Sequence, residues 1–387
     1  MAAAGARRAR TGKRVTSGGE DGLRLLMTAD AAGGVWTYAL DLAAGLAPHG
    51  VTTVLAVLGP DPTPDQMAQA AAVPGLEIQL TGLPLDWLAG QSEVVLRAGQ
   101  ALSALAQKTR VDLIHLNSPA HAAGGGFPVP VLAVSHSCVA TWWDAVRGGD
   151  LPPDFAWRTD LMRRGFLSAS TLVVPSRALA EATARRYALP RMPVAVHNGR
   201  RPIAAAGTAL AEVPPVMAFT AGRFWDAGKN IQTLDRAAAR LDLPVFAAGP
   251  LDGPDGTRVS VTHLRCLGRL DETALATWLR AAPIYVSLAL YEPFGLAVLE
   301  AAQAGCPLVL SDIPSFRELW DGAALFVPPQ DDVAVTMAIA GLAENSAERA
   351  RLGEAARQRA ARYTVEAMAE TMLAVYRSLL LPGTAAA

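Results

Sequence analysis

Cysteine, charge imbalance and long apolar runs are all scarce in this sequence. The 387 residues include 3 cysteines, odd in number and far apart, so they fit neither a disulfide framework nor a zinc site. We therefore expect a reducing compartment, the cytoplasm. The net charge of -1 gives no reason to expect a nucleic-acid partner. No segment reaches the roughly 18 consecutive apolar residues that a membrane span requires.

The first residues form the one strongly basic stretch. Five cations precede the first apolar run: Arg7, Arg8, Arg10, Lys13 and Arg14. No charge-free apolar segment with a cleavage-like end follows at the distance typical of a signal peptide. We interpret residues 1–21 as a disordered basic tail. The alternative is a weak peripheral contact with an acidic membrane surface at the inner face of the membrane.

Short apolar runs alternate with helical patterns through the rest of the chain. The composition, 51% hydrophobic and 18% charged, supplies enough apolar material for two cores, and the length favours two or three domains. Such alternation is typical of parallel α/β architecture. In the first half, strands are expected at Leu23–Asp30, Val51–Gly59, Leu76–Leu80, Val111–Asn117, Pro130–His136 and Ser170–Ser176.

The second half repeats the pattern after a break. Val194–Gly199, followed by a stretch rich in Pro, Ala and Gly, is typical of a domain boundary. Strands are then expected at Val216–Gly222, Leu243–Gly249, Val261–Gly268, Pro283–Ala289, Cys306–Asp312 and Ala323–Pro329. We divide the chain into the tail (1–21), an N-terminal domain (22–200), a C-terminal domain (201–362) and a final segment (363–387). A last helix near Val365–Leu381 has no strand to pair with, so it must pack elsewhere.

The most informative segment is Tyr291–Asp312. A strand should end near Ala289, and a tight connection over 292–295 should lead into a helix over about 296–304. Gly305 stands where a C-terminal cap belongs, and Pro307 blocks continuation. Strand, tight turn and capped helix are therefore expected in this order.

The turn and the helix after it carry residues suited to a nucleotide-sugar. The backbone amides of Phe294, Gly295 and Leu296 should point outward at the helix N-terminus, where anions bind. Glu300, one helical turn further in, can accept hydrogen bonds from the two hydroxyls of a ribose. Glu292, ahead of the helix, can reach sugar hydroxyls. We expect phosphate at the turn, ribose at Glu300 and a sugar at Glu292.

A second element supplies positive charge. The segment Ala221–Asn230 places Arg223 just past a strand end and Lys229 at the start of a helix. Two such cations can clamp a diphosphate, the arginine in a bidentate manner and the lysine as a point charge. No D-x-D-like metal motif stands at a strand end, so we expect charge stabilisation without a metal.

Together these segments resemble glycosyltransferase family 4. The specific part is the run E-x7-E with F-G inside it, which continues as LEAxxAGxPxxxSD, and Arg223 and Lys229 precede it in the expected order. The resemblance covers about Leu23 to Leu381. It implies the α/β GT-B fold, in which two Rossmann-like domains with parallel sheets face a central cleft and a C-terminal helix crosses back to the N-terminal domain. It also implies retention of anomeric configuration.

The resemblance implies roles for single residues. Gly33 and Gly34 look like the family's glycine loop, where the missing Cβ lets backbone approach a ligand. His136 resembles a family histidine near the donor sugar, although Ser137 follows it where Asp is frequent and leaves acceptor handling open. Catalysis is assigned to His136, Arg223, Lys229 and Glu292. The donor site is assigned to Gly33, Gly34, Arg223, Lys229, Glu292, Phe294, Gly295, Leu296 and Glu300.

Four residues are candidates for acceptor binding. His115 and Asn117 end the strand that precedes His136, and His115 fits an acceptor-side role and a structural role equally well. Trp142 and Trp143 fit stacking against an acceptor sugar or lipid headgroup, or a buried aromatic cluster.

The predicted reaction is transfer of a hexosyl group to a hydroxyl of a glycan, glycolipid or small molecule. UDP-hexose is the first expectation for the donor and GDP-mannose the second. No enzymatic nucleophile is visible, so front-face attack is expected. A GT-B sugar-nucleotide epimerase, a phosphorylase and a non-catalytic nucleotide-sugar-binding protein stay open as alternatives. No cofactor or metal is expected, and the sequence does not set the oligomeric state.

Overall fold

Strands and helices alternate as the apolar pattern predicts. The computed structural model of the chain describes residues 22–31, 33–203, 214–254 and 256–381. The predicted tail, residues 1–21, lies outside the described residues, and so do residues 382–387 of the final segment. Within the described part, none of the helices combines the length and the apolar character that a membrane crossing requires.

The first sheet is parallel throughout and has seven strands in the order β3-β2-β1-β4-β5-β6-β7. They are β1 (Arg24–Asp30), β2 (Thr52–Leu58), β3 (Leu76–Leu80), β4 (Leu113–Leu116), β5 (Val131–Val134), β6 (Thr171–Val174) and β7 (Val194–Ala195). The first six confirm the predicted strands. The seventh is a short edge strand inside the stretch predicted as a boundary, so the chain leaves this sheet just after Ala195.

Six α-helices accompany the first sheet within the described residues. They are α1 (Gly34–Leu46), α2 (Pro64–Ala71), α3 (Ser92–Thr109), α4 (Val139–Val146), α5 (Ala156–Ser168) and α6 (Arg177–Tyr187). Local chemistry sets their starts: a capping box between Thr63 and Gln66 opens α2. The Ser176 hydroxyl caps α6 by accepting from the amide of Leu179 at 3.3 Å.

The second sheet repeats this plan with six parallel strands in the order β10-β9-β8-β11-β12-β13. Its strands are β8 (Ala218–Ala221), β9 (Val245–Ala248), β10 (Arg265–Gly268), β11 (Ile284–Ser287), β12 (Leu308–Ser311) and β13 (Leu325–Val327). The helices that follow are α7 (Ile231–Ala238), α8 (Glu272–Arg280), α9 (Leu296–Gln303), α10 (Pro314–Trp320), α11 (Asp332–Glu344), α12 (Ser346–Ala360) and α13 (Val365–Leu380). The two parallel sheets confirm the predicted Rossmann-like pair.

The last helix, α13, packs on the first sheet's side of the molecule. It lies against α1, so closely that a Cβ on Gly45 would come within 2.8 Å of the Cβ of Ala369. Met368, Met372 and Tyr376 of α13 belong to the core that also contains β1 and α1. The predicted return of the C-terminal helix to the N-terminal unit is therefore confirmed. The exact domain limits 22–200, 201–362 and 363–387 stay predictions.

Two chain segments run side by side where they join the two units. The amide of Arg200 donates to the carbonyl of Tyr363 at 3.2 Å. A Cβ on Gly199 would lie 2.0 Å from the carbonyl oxygen of Thr364, so no larger residue fits there without moving the backbone. Both connections therefore pass through one close crossing.

Candidate active site

A cleft of about 1180 Å³ lies between the two units. In each sheet the strand order reverses beside the first strand of the unit, β1 or β8, and ligands of such sheets bind at the carboxyl ends of strands at that point. The residues that follow β1, β4, β8 and β11 all line the cleft, among them Gly33, Asn117, Arg223 and Glu292. The fold thus brings most of the predicted donor residues to one space.

The predicted anion site at the start of α9 has the expected backbone. Gly295 precedes the helix with a φ of +91°, a left-handed conformation that disfavours a side chain, and no side chain caps the helix start. The amides of the first turn therefore stay available to a ligand. Leu296 lines the cleft as well. The ring of Phe294 is buried against Tyr363, so Phe294 offers its backbone rather than its ring.

The two predicted cations lie near this helix start. Lys229 donates from Nζ to Oε2 of Glu292 at 2.5 Å, with both side chains mostly buried. Arg223 is exposed, and its Nη1 lies 3.3 Å from the position of a Cβ on Gly33, on the opposite wall of the cleft. A Cβ on Gly34 would lie 3.7 Å from Leu296. The glycine pair therefore faces the cation and the helix start across the cleft.

Glu300 has a partner that the sequence did not suggest. Its Oε1 accepts from Nε of Arg200 at 2.9 Å, and its carboxylate is not among the groups that line the cleft. The same guanidinium donates to Asp41 of α1 at 3.0 Å and to Glu272 of α8. Burial raises the pKa of Glu300, and the charge of Arg200 counteracts this rise. The predicted ribose contact therefore has to be made beside an existing ion pair.

His136 belongs to a chain of hydrogen bonds whose hydrogens can be assigned. Asn117 donates its amide to the carbonyl of Thr28 at 2.6 Å, so its Oδ1 is an acceptor. Both histidines approach that oxygen with Nε2, His136 at 2.8 Å and His115 at 3.1 Å. Each therefore carries its proton on Nε2, and Nδ1 of neutral His136 is left as an acceptor. Burial lowers the pKa of His136 to about 4 and that of His115 to about 3.

The candidate acceptor residues divide into two groups. Asn117 and Trp142 line the cleft, whereas His115 and Trp143 do not. His115 is fully buried and its Nδ1 accepts from the hydroxyl of Tyr376 at 2.6 Å, which favours the structural role over acceptor contact. Trp143 packs against Phe155, which itself lines the cleft. Acceptor binding by His115 and Trp143 stays a prediction.

Trp142 spans the cleft. Its Nε1 donates to Oδ1 of Asp226 in the second unit at 2.9 Å, and the same oxygen accepts from the amide of Gly228 at 2.8 Å. Neither a purely buried cluster nor simple stacking describes this position. Nearby, the hydroxyls of Thr141 and Tyr291 lie 2.9 Å apart, again across the two units. The α4 region therefore holds the units in their observed arrangement.

Two sequence profiles match the chain. The profile described as Glycosyltransferase Family 4 matches residues 32–200, and the one described as Glycosyl transferases group 1 matches residues 260–359. The chain belongs to glycosyltransferase family 4. This glycosyltransferase is 33% identical over 127 residues to a phosphatidyl-myo-inositol mannosyltransferase of Mycobacterium leprae, covering 32% of this chain and 34% of that protein.

A second relative is glycogen synthase of Mycobacterium tuberculosis strain H37Rv. The identity is 38% over 97 residues, which cover 24% of the family 4 chain and 23% of that synthase. The matches thus span about a third or less of the length of these curated relatives. Identity at this coverage leaves the substrates of this chain open.

Solved structures share the fold of this glycosyltransferase. Sucrose-phosphate synthase from Thermosynechococcus elongatus superposes with a TM-score of 0.73 at 22% identity, covering 92% of this chain and 99% of that one. Anabaena Alr3699/HepE in complex with UDP and glucose superposes with a TM-score of 0.67 at 17% identity, covering 92% and 100%. At these identities the likeness concerns the GT-B fold.

Several cleft residues of the glycosyltransferase were missed from the sequence. Tyr38 of α1 lines the cleft and packs edge-on against His136, with ring centroids 4.5 Å apart. Its hydroxyl is buried and has no hydrogen-bond partner among the described residues. Asp226, which also lines the cleft, was missed as well, and so was Arg200, which does not line it. Each joins partners far apart in the sequence, so no local pattern signalled them. Among the described residues, no group of three or more His, Cys, Asp or Glu is placed to hold a metal ion.

Proposed function

We propose that this chain transfers a hexosyl group from a nucleotide-sugar to an acceptor hydroxyl with retention of configuration. The observation that carries the proposal is the convergence of Arg223, Lys229 and the uncapped start of α9 on one part of the cleft. Each favours negative charge, and all three lie on the second unit. A diphosphate, which has two adjacent phosphate groups, matches that combination better than a single phosphate does.

In the proposed reaction the bond between the anomeric carbon and the phosphate oxygen breaks. Negative charge then grows on the leaving nucleoside diphosphate, where Arg223, Lys229 and the α9 amides stabilise it. The acceptor oxygen bonds to the anomeric carbon on the face that the phosphate leaves. Its proton passes to an oxygen of the departing diphosphate, so no group on the enzyme has to become charged. Retention follows from this geometry.

The other cleft groups are proposed to orient the sugar. The Lys229–Glu292 ion pair keeps the Glu292 carboxylate at the edge of the anion site, where its free oxygen can accept from sugar hydroxyls. On the first unit, neutral His136 offers Nδ1 as an acceptor, held in place through Asn117. Gly33 and Gly34 leave room for the donor between the two units.

The donor base is proposed to be uracil or guanine. The loop 268–270 follows β10, and Arg269 and Leu270 line the cleft on the second unit, where a base would lie beyond the ribose. The relatives point both ways: one is a mannosyltransferase, and a structural neighbour is in complex with UDP and glucose. UDP-hexose and GDP-mannose are therefore the two donors to compare first.

Donor hydrolysis tests the proposal. Purified protein is incubated with UDP-, GDP-, ADP- and dTDP-sugars and release of nucleoside diphosphate is measured. We expect one donor to be consumed, and we expect Glu300→Ala to abolish consumption. Lys108→Ala, a lysine change in the last turn of α3, serves as the control and should behave as wild type. No consumption of any donor, together with no binding by calorimetry, would contradict transferase activity and favour a non-catalytic protein.

The product distinguishes the remaining alternatives. An epimerase would convert the nucleotide-sugar without an acceptor and without releasing free nucleoside diphosphate. A phosphorylase would form sugar phosphate when inorganic phosphate is supplied. The anion-binding groups of the cleft suit all three reactions, so product analysis by mass spectrometry and NMR belongs in the same experiment.

A further inference from the structure

The side chain of Arg200 lies between the two units, beside the crossing of the two connections. Its main chain is fixed from both sides. The amide donates to Tyr363, and the carbonyl accepts from Nε2 of Gln303 in α9 at 2.8 Å. Its side chain is only 12% exposed. Such anchoring leaves the guanidinium little freedom, so its direction is set by the fold.

The guanidinium contacts one carboxylate from each of three helices. Nη1 donates to Asp41 of α1, Nη2 to Glu272 of α8, and Nε to Glu300 of α9. The Asp41 and Glu300 side chains are 8% and 11% exposed, whereas that of Glu272 is 42% exposed. One cation thus ties the donor-side helix α9 to the first unit through Asp41.

The charge balance makes this arrangement costly without Arg200. Three carboxylates around one guanidinium leave excess negative charge in a partly buried place. Burial raises the pKa of both Asp41 and Glu300, and in each the charge of Arg200 opposes the rise. Burial also disfavours charge on Arg200, but Glu300, Asp41 and Glu272 outweigh it and raise the arginine's pKa. The charge of Arg200 therefore favours the ionised form of both carboxylates against the effect of burial.

Glu300 can serve a ribose only as an ionised and oriented carboxylate. Within the described residues only its Oε1 makes a hydrogen bond, with Arg200, which leaves Oε2 for a ligand. The residue lies on α9 one turn after Leu296 and Ala297, which line the cleft. A carboxylate that accepts from two vicinal hydroxyls needs a fixed plane. The hydrogen bond from Nε of Arg200 fixes the plane of the Glu300 carboxylate.

We propose that Arg200 is a positioning residue that orients Glu300 toward the ribose hydroxyls of the donor and anchors it to the first unit through Asp41. The inference rests on the proposed function and adds a residue to it. Arg200 touches neither the sugar nor the phosphates in this account. It acts through Glu300, so its loss should be felt in recognition of the ribose.

Calorimetry with nucleoside diphosphates tests the assignment. UDP and GDP are titrated into wild-type protein, and the tighter ligand is then compared with its 2′-deoxy and 3′-deoxy analogues. We expect wild type to bind the ribo form about tenfold or more tightly than either analogue, because each analogue loses a hydrogen bond to a charged group. In Arg200→Gln we expect the ribo form to weaken and the preference to shrink toward 1. Arg200→Lys should restore part of it.

The neighbouring Arg201 supplies the matched control. Its side chain is exposed, and Arg201→Gln removes the same charge one residue away without touching Glu300. We expect this variant to keep the wild-type preference. An Arg200→Gln protein that keeps the full preference would overturn the proposal, and so would a wild-type protein that binds nucleotide without preferring ribose. Failure of wild type to bind any nucleoside diphosphate would instead contradict the proposed function.

Loss of the cation leaves three close carboxylates, so Arg200→Gln can fail to fold. The comparison is therefore repeated in an Asp41→Asn, Glu272→Gln background, in which Glu300 is the one remaining carboxylate beside position 200. In that background the protein with Arg200 should still bind the ribo form more tightly than its deoxy analogues, and the protein with Gln at position 200 should not. An equal preference with either residue at position 200 would count against the positioning role.

Discussion

At the scale of single residues, the cleft is organised by side chains that hold other side chains. Lys229 is bound to Glu292, Asn117 is bound to His136, and Arg200 is bound to Glu300. In each pair at least one member is proposed to meet the donor, and its partner fixes its position or protonation. Substitutions in the cleft therefore affect charge and orientation together.

Removal of the lysine of the anion site should slow the reaction strongly. We expect Lys229→Ala to lower turnover of the donor by about 10²–10³-fold, the usual cost of losing one group that stabilises transition-state charge. The fold should persist, because Glu292 becomes accessible to solvent at the cleft when its partner is removed. Steady-state kinetics and circular dichroism measure the two effects. Near-normal turnover would show that Lys229 does not contact the diphosphate.

The buried His115 and the partly buried His136 should make stability depend on pH. Both have a pKa of 6.5 before folding shifts it, and burial lowers it to about 4 in His136 and about 3 in His115. Their stabilising contribution is therefore complete above about pH 6.5 and is lost as the pH falls toward 4. The unfolded chain takes up protons over this range while the folded chain does not.

Urea unfolding at pH 7 and pH 5 measures this effect. In wild type the free energy of unfolding should fall from pH 7 to pH 5. We expect this fall to be smaller by roughly 2 kcal/mol in His136→Asn, because the variant lacks the histidine whose pKa is lowered by folding. His49→Asn, a change at an exposed histidine, should leave the wild-type dependence intact. An unchanged pH dependence in His136→Asn would mean that His136 titrates alike in both states.

At the scale of elements, close helix contacts decide where small residues must stand. Gly45 of α1 faces α13, and a methyl group there would lie 2.8 Å from both Ala369 and Val365. Gly341 of α11, by contrast, has open space around it. The same substitution therefore has opposite consequences in two helices.

Thermal or urea unfolding tests this contrast. We expect Gly45→Ala to destabilise by about 1–3 kcal/mol through overpacking against α13. We expect Gly341→Ala to stabilise by up to about 1 kcal/mol, since alanine is the better helix former where nothing clashes. A Gly45→Ala variant as stable as wild type would show that α13 shifts freely on α1.

The sequence predicted the elements well because each one is a local pattern. Every predicted strand is present, and the turn over 292–295 leads into α9 as expected. The last helix, predicted near Val365–Leu381, is present as α13 for the same reason. Periodicity and caps act within about ten residues, and these features need no more.

The parts that could not be predicted depend on contacts between distant segments. Asp226 meets Trp142 across 84 positions, and Arg200 meets Asp41 across 159. Nothing near Arg200 in the sequence distinguishes a buried linker arginine from a solvated one. The roles of His136, Arg223, Lys229, Glu292 and Glu300 stay predictions, although the fold brings four of them to the cleft.

At the scale of the whole molecule, a few polar bonds across the cleft hold the two units in place. The indole of Trp142 reaches Asp226, the hydroxyl of Ser176 donates to the carbonyl of Pro293 at 2.7 Å, and Glu318 accepts from the amides at the start of α6. Such contacts are weak enough for the arrangement to change with a ligand.

Loss of the indole donor should loosen the observed arrangement. We expect Trp142→Phe to raise the KM for the donor about two- to tenfold, because a hydrogen bond typically contributes about 0.5–1.5 kcal/mol, with little change in melting temperature. Small-angle scattering should show a larger radius of gyration without donor. Trp143→Phe is the control, because its Nε1 has no partner among the described residues. Equal KM values and equal radii of gyration in the two variants would show that the Trp142–Asp226 hydrogen bond does not hold the two units together.

The return of α13 has a consequence for how the protein is made. The core of the first unit includes Met368, Met372 and Tyr376 of α13. The Tyr376 hydroxyl also donates the hydrogen bond that the buried Nδ1 of His115 accepts. During synthesis, all strands of the second sheet therefore leave the ribosome before α13, which completes the core of the first unit. The half that is synthesised first is completed last, with an open groove along α1 until then. A nascent chain stopped after α12 should need a chaperone to stay in solution.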